Sequence, residues 1–264
     1  MLEIEALAKQ IRIHALEMTH KAQSSHIGSC LSIADILAVL YGCVMNVRPF
    51  EPDWEWRDRF ILSKGHACAA LYAVLGERGF FPLEWLNDYY QKGSLLSGHV
   101  SHYVPGVEAS TGSLGHGLSV GCGMALATKS KVYVLLGDGD CNEGSTWEAV
   151  MFAKQHKLDN LVVIVDYNRL QAMGETRDVI DLDSLADKWH SFGWSVGEVD
   201  GHNIEHLEHI LKFTPLPTGK PRCIIAHTVK GKGVSFIEGK VEWHYKYPND
   251  EELRLALKEL EDIK

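Results

Sequence analysis

The chain has 264 residues, 45% hydrophobic and 23% charged, an ordinary globular composition with enough length for one large core or two modest domains. Its formal net charge of −9 excludes a general nucleic-acid surface while leaving room for a local basic pocket that meets phosphate groups. No apolar run approaches the ~18 residues that a membrane span needs, the N-terminus has helical period with acids, and the six cysteines are scattered without a C-x-x-C pair, so the expectation is a cytoplasmic protein with reduced, mostly buried thiols and neither a nucleic-acid nor a membrane partner.

Along the chain, short apolar runs alternate with longer segments of helical period, without internal repeats, which predicts an α/β fold. "LEIEALAKQIRIHALEMTHKA" reads as an amphipathic first helix, "SIADILAVLYGCVMN" as a second, and "RFILSKGHACAALYAVLGERG" as strand, turn and helix. "LSVGCGMALATKS" is a Gly/Ala-rich helix leading to the strand "KVYVLLG". After it, "STWEAVMFAKQHKL" has helical period and "NLVVIVDYN" is a continuous apolar run rich in β-branched residues, the pattern of a strand buried on both faces. Together they predict a right-handed βαβ unit. "RCIIAHTV" is a further strand and "DEELRLALKELEDIK" a polar helical tail. "FTPLPTGKP" is linker-like but too short to separate domains, so one domain is expected over residues 1–264.

The stretch "KVYVLLGDGDCNEG", residues 131–144, runs from a buried strand straight into Gly137-Asp138-Gly139. Ligands of an open α/β sheet sit beyond the C-terminal ends of its strands, and "DYNRLQ" lies at the end of the next strand. Asp138 and Asn168 brought together there are hard oxygen ligands of the kind Mg²⁺ or Ca²⁺ takes, with phosphates and water completing the shell. The flanking glycines let the backbone approach a phosphate, and the helix starting near Ser145 turns its positive end to the same region. Gly-Asp-Gly by itself is commonly a turn. What changes the weight is the spacing: residues 140–167 hold one helix and one buried strand, which delivers both loops to one sheet edge.

Gly137-Asp138-Gly139 with Asn168 resembles the thiamine diphosphate signature, and the surrounding text is similar to the transketolase family. The likeness runs through "SSHIGSCLSIADILAVLY", "RFILSKGHACAALYAVL", "SGHVS", "GVEASTGSLGHGLSVGCGMALA", "DYNRLQAMGETRDV", "LADKWHSFGWSVGEVDGHN" and "IIAHTVKGKGVSF". It implies an open, mostly parallel sheet with helices on both faces, the thiamine diphosphate-binding fold, over residues 1–264. Only the family's diphosphate-binding domain is resembled. The resemblance therefore implies the N-terminal subunit of a split transketolase, whose partner is a C-terminal transketolase subunit carrying the pyrimidine-binding and C-terminal domains, in a heterotetramer of two copies of each. The implied reaction transfers a two-carbon ketol unit from an anionic ketose, a sugar phosphate or related sugar, to an aldose, with thiamine diphosphate and Mg²⁺, or Ca²⁺ in its place.

The resemblance also carries roles to residues. Asp138 and Asn168 match Mg²⁺ ligands through side-chain oxygens and Leu170 through its carbonyl. Gly139 and Gly112-Ser113-Leu114 match positions that line the cofactor. His66 and His244 match histidines near the diphosphate and the reacting carbons, and His26 and His99 match histidines that hydrogen-bond sugar hydroxyls. Glu143 and Glu148 match acids at the subunit interface. Ketol transfer needs a carbanion sink and groups that move protons on hydroxyls, and imidazole does the second near neutral pH. Any single histidine is ordinarily a hydrogen-bonding or surface residue; four at matched motifs point to a site.

Other features carry less. His202, His206 and His209 sit near helical spacing, but the intervening Glu205 and Glu208 read as a solvated face rather than a zinc site. His116 lies beside the cofactor loop without an assigned role. "VKGKGV" lacks the Walker arrangement and is a weak nucleotide-binding reading. Where the family has a small residue after His244, this chain has Tyr245, then Lys246 and Tyr247, bulk that would reshape the substrate entrance. The corresponding half of a deoxyxylulose-phosphate synthase or an α-ketoacid dehydrogenase component is the alternative enzyme reading, disfavoured by "GSLGHGLSVGCGMALA" and "WHSFGWSVGEVDGHN". Intact Asp138, Asn168, His66 and His99 argue against a non-catalytic assembly protein.

Overall fold

A computed structural model describes residues 2–212 and 219–262. Five strands form one sheet: β1 (Arg59–Leu62), β2 (Val132–Gly137), β3 (Leu161–Tyr167), β4 (Ser195–Asp200) and β5 (Arg222–His227). Their order is β1-β2-β3-β5-β4 and every pair is parallel. While α1 (Leu2–Ala22), α2 (Ile27–Leu31) and α3 (Ala34–Val39) precede β1, parallel neighbours require crossovers, which carry α4 (Cys68–Glu77), α5 (Gly117–Ala127), α6 (Gly144–Gln155), α7 (Thr176–Val179), α8 (Leu185–Ser191) and α9 (Ile204–Lys212), and α10 (Asp250–Asp262) follows β5.

The apolar strands alternate between two cores, as the period of two demands. Tyr133, Leu135, Val162 and Ile164 pack on one face with α1, α3, α4, α9 and α10; Val132, Val134, Leu136, Val163 and Val165 pack on the other with α5, α6 and α8. Burial on both sides is why β2 and β3 contain no charged residue except Asp166. Their register pairs Gly137 with Asp166, so the residues that follow, Asp138 and Asn168, leave the same edge side by side.

Three details differ from the sequence reading. The second helix is preceded by the short α2, and its C-terminal turn widens into a π-helical turn over Leu40–Val44. β4, α8 and α9 are elements the apolar pattern did not mark. β4 is an edge strand in which only Val199 is buried, so it has no continuous apolar run to read. Residues 213–218 of the linker-like "FTPLPTGKP" lie outside the described residues. No helix among those described is long and apolar enough to cross a membrane.

Candidate functional site

The loops after β1, β2, β3 and β5 converge beyond the C-terminal edge of the sheet, where they enclose a cavity of about 320 Å³. Its walls include His26, His66, His99 and His244, Gly112 and Leu114, Asp138 and Gly139, and Asn168 and Leu170. The sheet edge thus gathers every residue expected at the site except Ser113, which is exposed and stands outside the wall. Glu143 and Glu148 are exposed, near the start of α6.

Asp138 is nearly fully buried. One carboxylate oxygen accepts the Gly139 N–H at 3.0 Å and the other accepts the Thr176 hydroxyl at 2.6 Å. Burial pushes its carboxyl up from the usual carboxylate range, and Asp166 adds to that against the Thr176 hydrogen bond. Asn168 spans the next loop: its Oδ1 accepts the Leu170 N–H at 3.0 Å and its Nδ2 donates to Asp166 at 3.0 Å. The side chain is thereby fixed, with its oxygen on the side of the Leu170 backbone.

Two lysines that the motif reading passed over face the same space. Lys64, of "SKGHA", is buried and pairs with Asp166 at 2.5 Å, while Asp166 also accepts the hydroxyls of Ser32 and Thr228. Burial alone would raise Asp166; Lys64 together with the Thr228 and Ser32 hydroxyls outweighs it, and the carboxyl lies below its ordinary value. Lys230, of "VKGKGV", donates to the Leu170 carbonyl at 3.0 Å and to His244 Nδ1 at 3.0 Å instead of to a carboxylate. Burial and the neighbouring Lys64 lower it to about 8. A buried ammonium of this kind is stabilised by an anion. The signals in the sequence were the position of both lysines within three residues of a strand end and their place in stretches that carry the family resemblance; a lysine in a Gly-bearing loop otherwise reads as solvated.

Asp140 is a third functional residue that the motifs did not single out. It is fully buried and accepts the Ser63 hydroxyl at 2.6 Å and the Gly115 and Gly137 N–H groups at 2.8 Å each, tying together the loops after β1 and β2 and the loop that carries Leu114.

Beside Lys230, which His244 contacts, the imidazoles cluster around His26. Ring centres lie 5.0 Å from it for His66, 5.1 Å for His244 and 5.8 Å for His99, and His66 and His244 are 5.3 Å apart. His26 holds a left-handed backbone, φ 81°, at the start of α2, and its N–H donates to the His244 carbonyl at 2.9 Å. Burial, then His99 and the two lysines, lower His26 to about 4; burial and Lys230 lower His244 to about 3. Burial, then Lys64, also hold His66 well below its ordinary range. Near neutral pH these three rings are uncharged and can both donate and accept hydrogen bonds. Tyr245 adds its ring 4.9 Å from His244 and 6.4 Å from His26, whereas Tyr247 lines a separate groove with His20 and Pro248.

The donor set fits a bound diphosphate with a divalent cation. A carboxylate held up by burial, a fixed amide oxygen and a backbone carbonyl lie together, and both carboxylate oxygens and the carbonyl keep a lone pair. Lys230 supplies positive charge without a carboxylate partner among the described residues. Gln171 Nε2, in the cavity wall, is buried without a hydrogen-bond partner.

His202 corrects the sequence reading of a solvated face. Its side chain is mostly buried and its Nδ1 lies 2.7 Å from Asp35, while Glu205, His206 and His209 are exposed.

Residues 4–260 match the family described as "Transketolase, thiamine diphosphate binding domain". The chain is 44% identical over 264 residues to an apulose-4-phosphate transketolase subunit from Phocaeicola vulgatus, covering 98% of this chain and 94% of that one. It is 40% identical over 266 residues to a 6-deoxy-6-sulfo-D-fructose transketolase subunit from a Clostridium species, covering 98% and 97%. Among solved structures, the transketolase from Leishmania mexicana superposes with a TM-score of 0.93 at 32% identity, over 98% of this chain and 41% of that one, so the chain spans about two-fifths of that enzyme's length. On the fold, the strand-end cavity and these matches, the chain belongs to the transketolase family and corresponds to its thiamine diphosphate-binding domain.

Proposed function

We propose that this chain is the thiamine diphosphate-binding subunit of a two-polypeptide transketolase, folded as one domain and acting with a C-terminal transketolase subunit on anionic ketoses. The observation that carries the reading is the meeting of two groups in the wall of one cavity: Asp138, Asn168, Leu170, Lys64 and Lys230 form the first and four clustered imidazoles the second, joined where Lys230 donates to His244 at 3.0 Å.

When bound, thiamine diphosphate supplies the electron sink for the carbon–carbon bond beside the ketose carbonyl. The first group of residues holds its diphosphate, with Asp138, Asn168 and the Leu170 carbonyl as ligands of Mg²⁺ and the lysines as further positive charge. Gly139, Gly112 and Leu114 form the wall along the cofactor. His26 and His99 take hydrogen bonds from and give them to sugar hydroxyls. His66 and His244 stand nearer the lysines, where uncharged rings can shift a proton on a hydroxyl without adding repulsion to the ammonium groups. The relatives named for apulose 4-phosphate and for 6-deoxy-6-sulfo-D-fructose share an anionic sugar as substrate, and that is the substrate class we assign here.

Removing the metal ligand tests the reading. Asp138→Ala in the assembled enzyme should abolish measurable thiamine diphosphate binding in calorimetric titration with Mg²⁺, because the diphosphate would face buried protein without its cation. Unchanged affinity would overturn the assignment.

A further inference from the structure

We propose that the buried network of Arg12, Asp35 and His202 is a positioning device that aims Lys230 into the cavity. The inference rests on the reading of Lys230 as a diphosphate-binding residue.

The network lies on the far side of the loop that carries Lys230. Arg12, on α1, forms a two-pronged pair with Asp35, on α3, at 2.9 and 2.6 Å. Asp35 also holds His202 Nδ1 at 2.7 Å, and His202 Nε2 accepts the Val229 N–H at 2.8 Å. An imidazole nitrogen that accepts a backbone N–H carries no hydrogen, so the ring's hydrogen sits on Nδ1 and is donated to Asp35. Arg12 and His202 outweigh the effect of burial on Asp35 and lower its carboxyl to about 2, so it stays an acceptor for both. Arg12 completes the circuit by donating its Nε to the Lys232 carbonyl at 2.9 Å.

The loop is therefore gripped on both sides of Lys230: Val229 by His202, Lys232 by Arg12, and between them the Gly231 N–H by the Gly28 carbonyl at 2.9 Å. With the backbone fixed, the Cα–Cβ bond of the buried Lys230 is fixed too, and the side chain reaches Leu170 and His244. Energetics support a geometric role over a stabilising one. Arg12 and Asp35 are only 7% and 6% exposed, and a buried ion pair returns little net stability over apolar residues of the same volume. What such a network adds is a fixed direction for each donor and acceptor, as the outer partners of a metal or catalytic group do.

The test is a double-mutant cycle on the complex with its partner subunit, reading the thiamine diphosphate dissociation constant by calorimetry with Mg²⁺ present. His202→Phe should weaken binding by about tenfold or more, the order seen when an outer positioning partner is lost. Lys230→Met should also weaken it, and the double variant should bind no worse than Lys230→Met, since His202 acts only through that side chain. A merely structural role would lower the melting temperature and leave the dissociation constant unchanged, which overturns the proposal; so do effects that multiply in the double variant. If Lys230→Met has no effect, Lys230's role and this proposal fall together. If Lys230→Met weakens binding and His202→Phe does not, only this proposal falls. Should His202→Phe not fold, His202→Leu, which is smaller and removes both the Val229 and the Asp35 hydrogen bonds, serves in the same cycle with the same outcomes.

Discussion

At the scale of single residues, His26 shows how position and protonation combine. Its left-handed backbone is one that asparagine adopts readily and alanine does not, so His26→Asn removes the imidazole with the least backbone strain. In the assembled enzyme, His26→Asn and His99→Ala should each lower turnover by roughly 10²–10⁴-fold, the range for lost acid–base groups, with cofactor affinity kept. Failure of both variants to bind cofactor would make these rings structural. The pH dependence has a definite sign. His26 and His244 titrate near 4 and 3 when folded and near 6.5 when unfolded. Between those values the unfolded chain binds protons that the folded chain refuses, so their contribution is fully present above pH 6.5 and is lost as the pH falls through 4. The melting temperature should therefore decline on acidification from pH 7 to pH 4, and the decline should be shallower in His26→Asn. An equal slope in both proteins would place the acid sensitivity in other groups.

Elements differ in how plainly they can be read before folding. β2, β3 and β5 were legible because each is covered on both faces and cannot carry polar residues in its middle; β4 was not, because a sheet edge asks only Val199 to be buried. The same contrast holds at the site. Asp138 and Asn168 both lie at the C-terminal strand ends, where the Gly-Asp-Gly tripeptide and the spacing between the two loops placed them. Lys64, Lys230, Asp140 and His202 owe their roles to partners more than 20 residues away in sequence, Asp166, Leu170, Gly115 and Asp35 among them, and of these partners Leu170 alone carried an expected role. Close packing between loops is equally silent in a sequence. A Cβ on Gly65 would lie 2.4 Å from the Thr111 carbonyl oxygen, so the turn bearing His66 rests directly on the stretch of backbone that leads into Gly112. Gly65→Ala should force those backbones apart and destabilise the fold by about 1–3 kcal/mol, the cost of overpacking. A denaturant midpoint equal to the parent's, measured with unchanged slope, would show that the loops can separate freely.

For the whole molecule, the site has one wall too few. Met173 lines the cavity yet is 81% exposed, and His99 stands open at its mouth, so a cofactor seated on Asp138 and the lysines would present its other end to solvent. The outer faces of α5 and α6 are also apolar where a solvated helix pair would be polar: Val120, Leu126, Met151 and Phe152 are all exposed, and Glu143 and Glu148 lie beside them. Both features call for a covering chain. A partner that closed the cavity would bind the cofactor jointly with this one, and mass action would then couple cofactor affinity to assembly. The expected particle contains two copies of each polypeptide, because closed two-fold symmetry satisfies the apolar faces in pairs. The isolated chain should bind thiamine diphosphate weakly at best and give no measurable ketol transfer with Mg²⁺ and saturating cofactor. Adding the partner should restore both. Met151→Lys, which puts a charge on the exposed face without touching the cavity, should weaken assembly in light scattering while the chain's own melting temperature stays near the parent's. Turnover by the isolated chain comparable to that of the complex would show that no second wall is needed, and the exposed face would then have no bearing on catalysis.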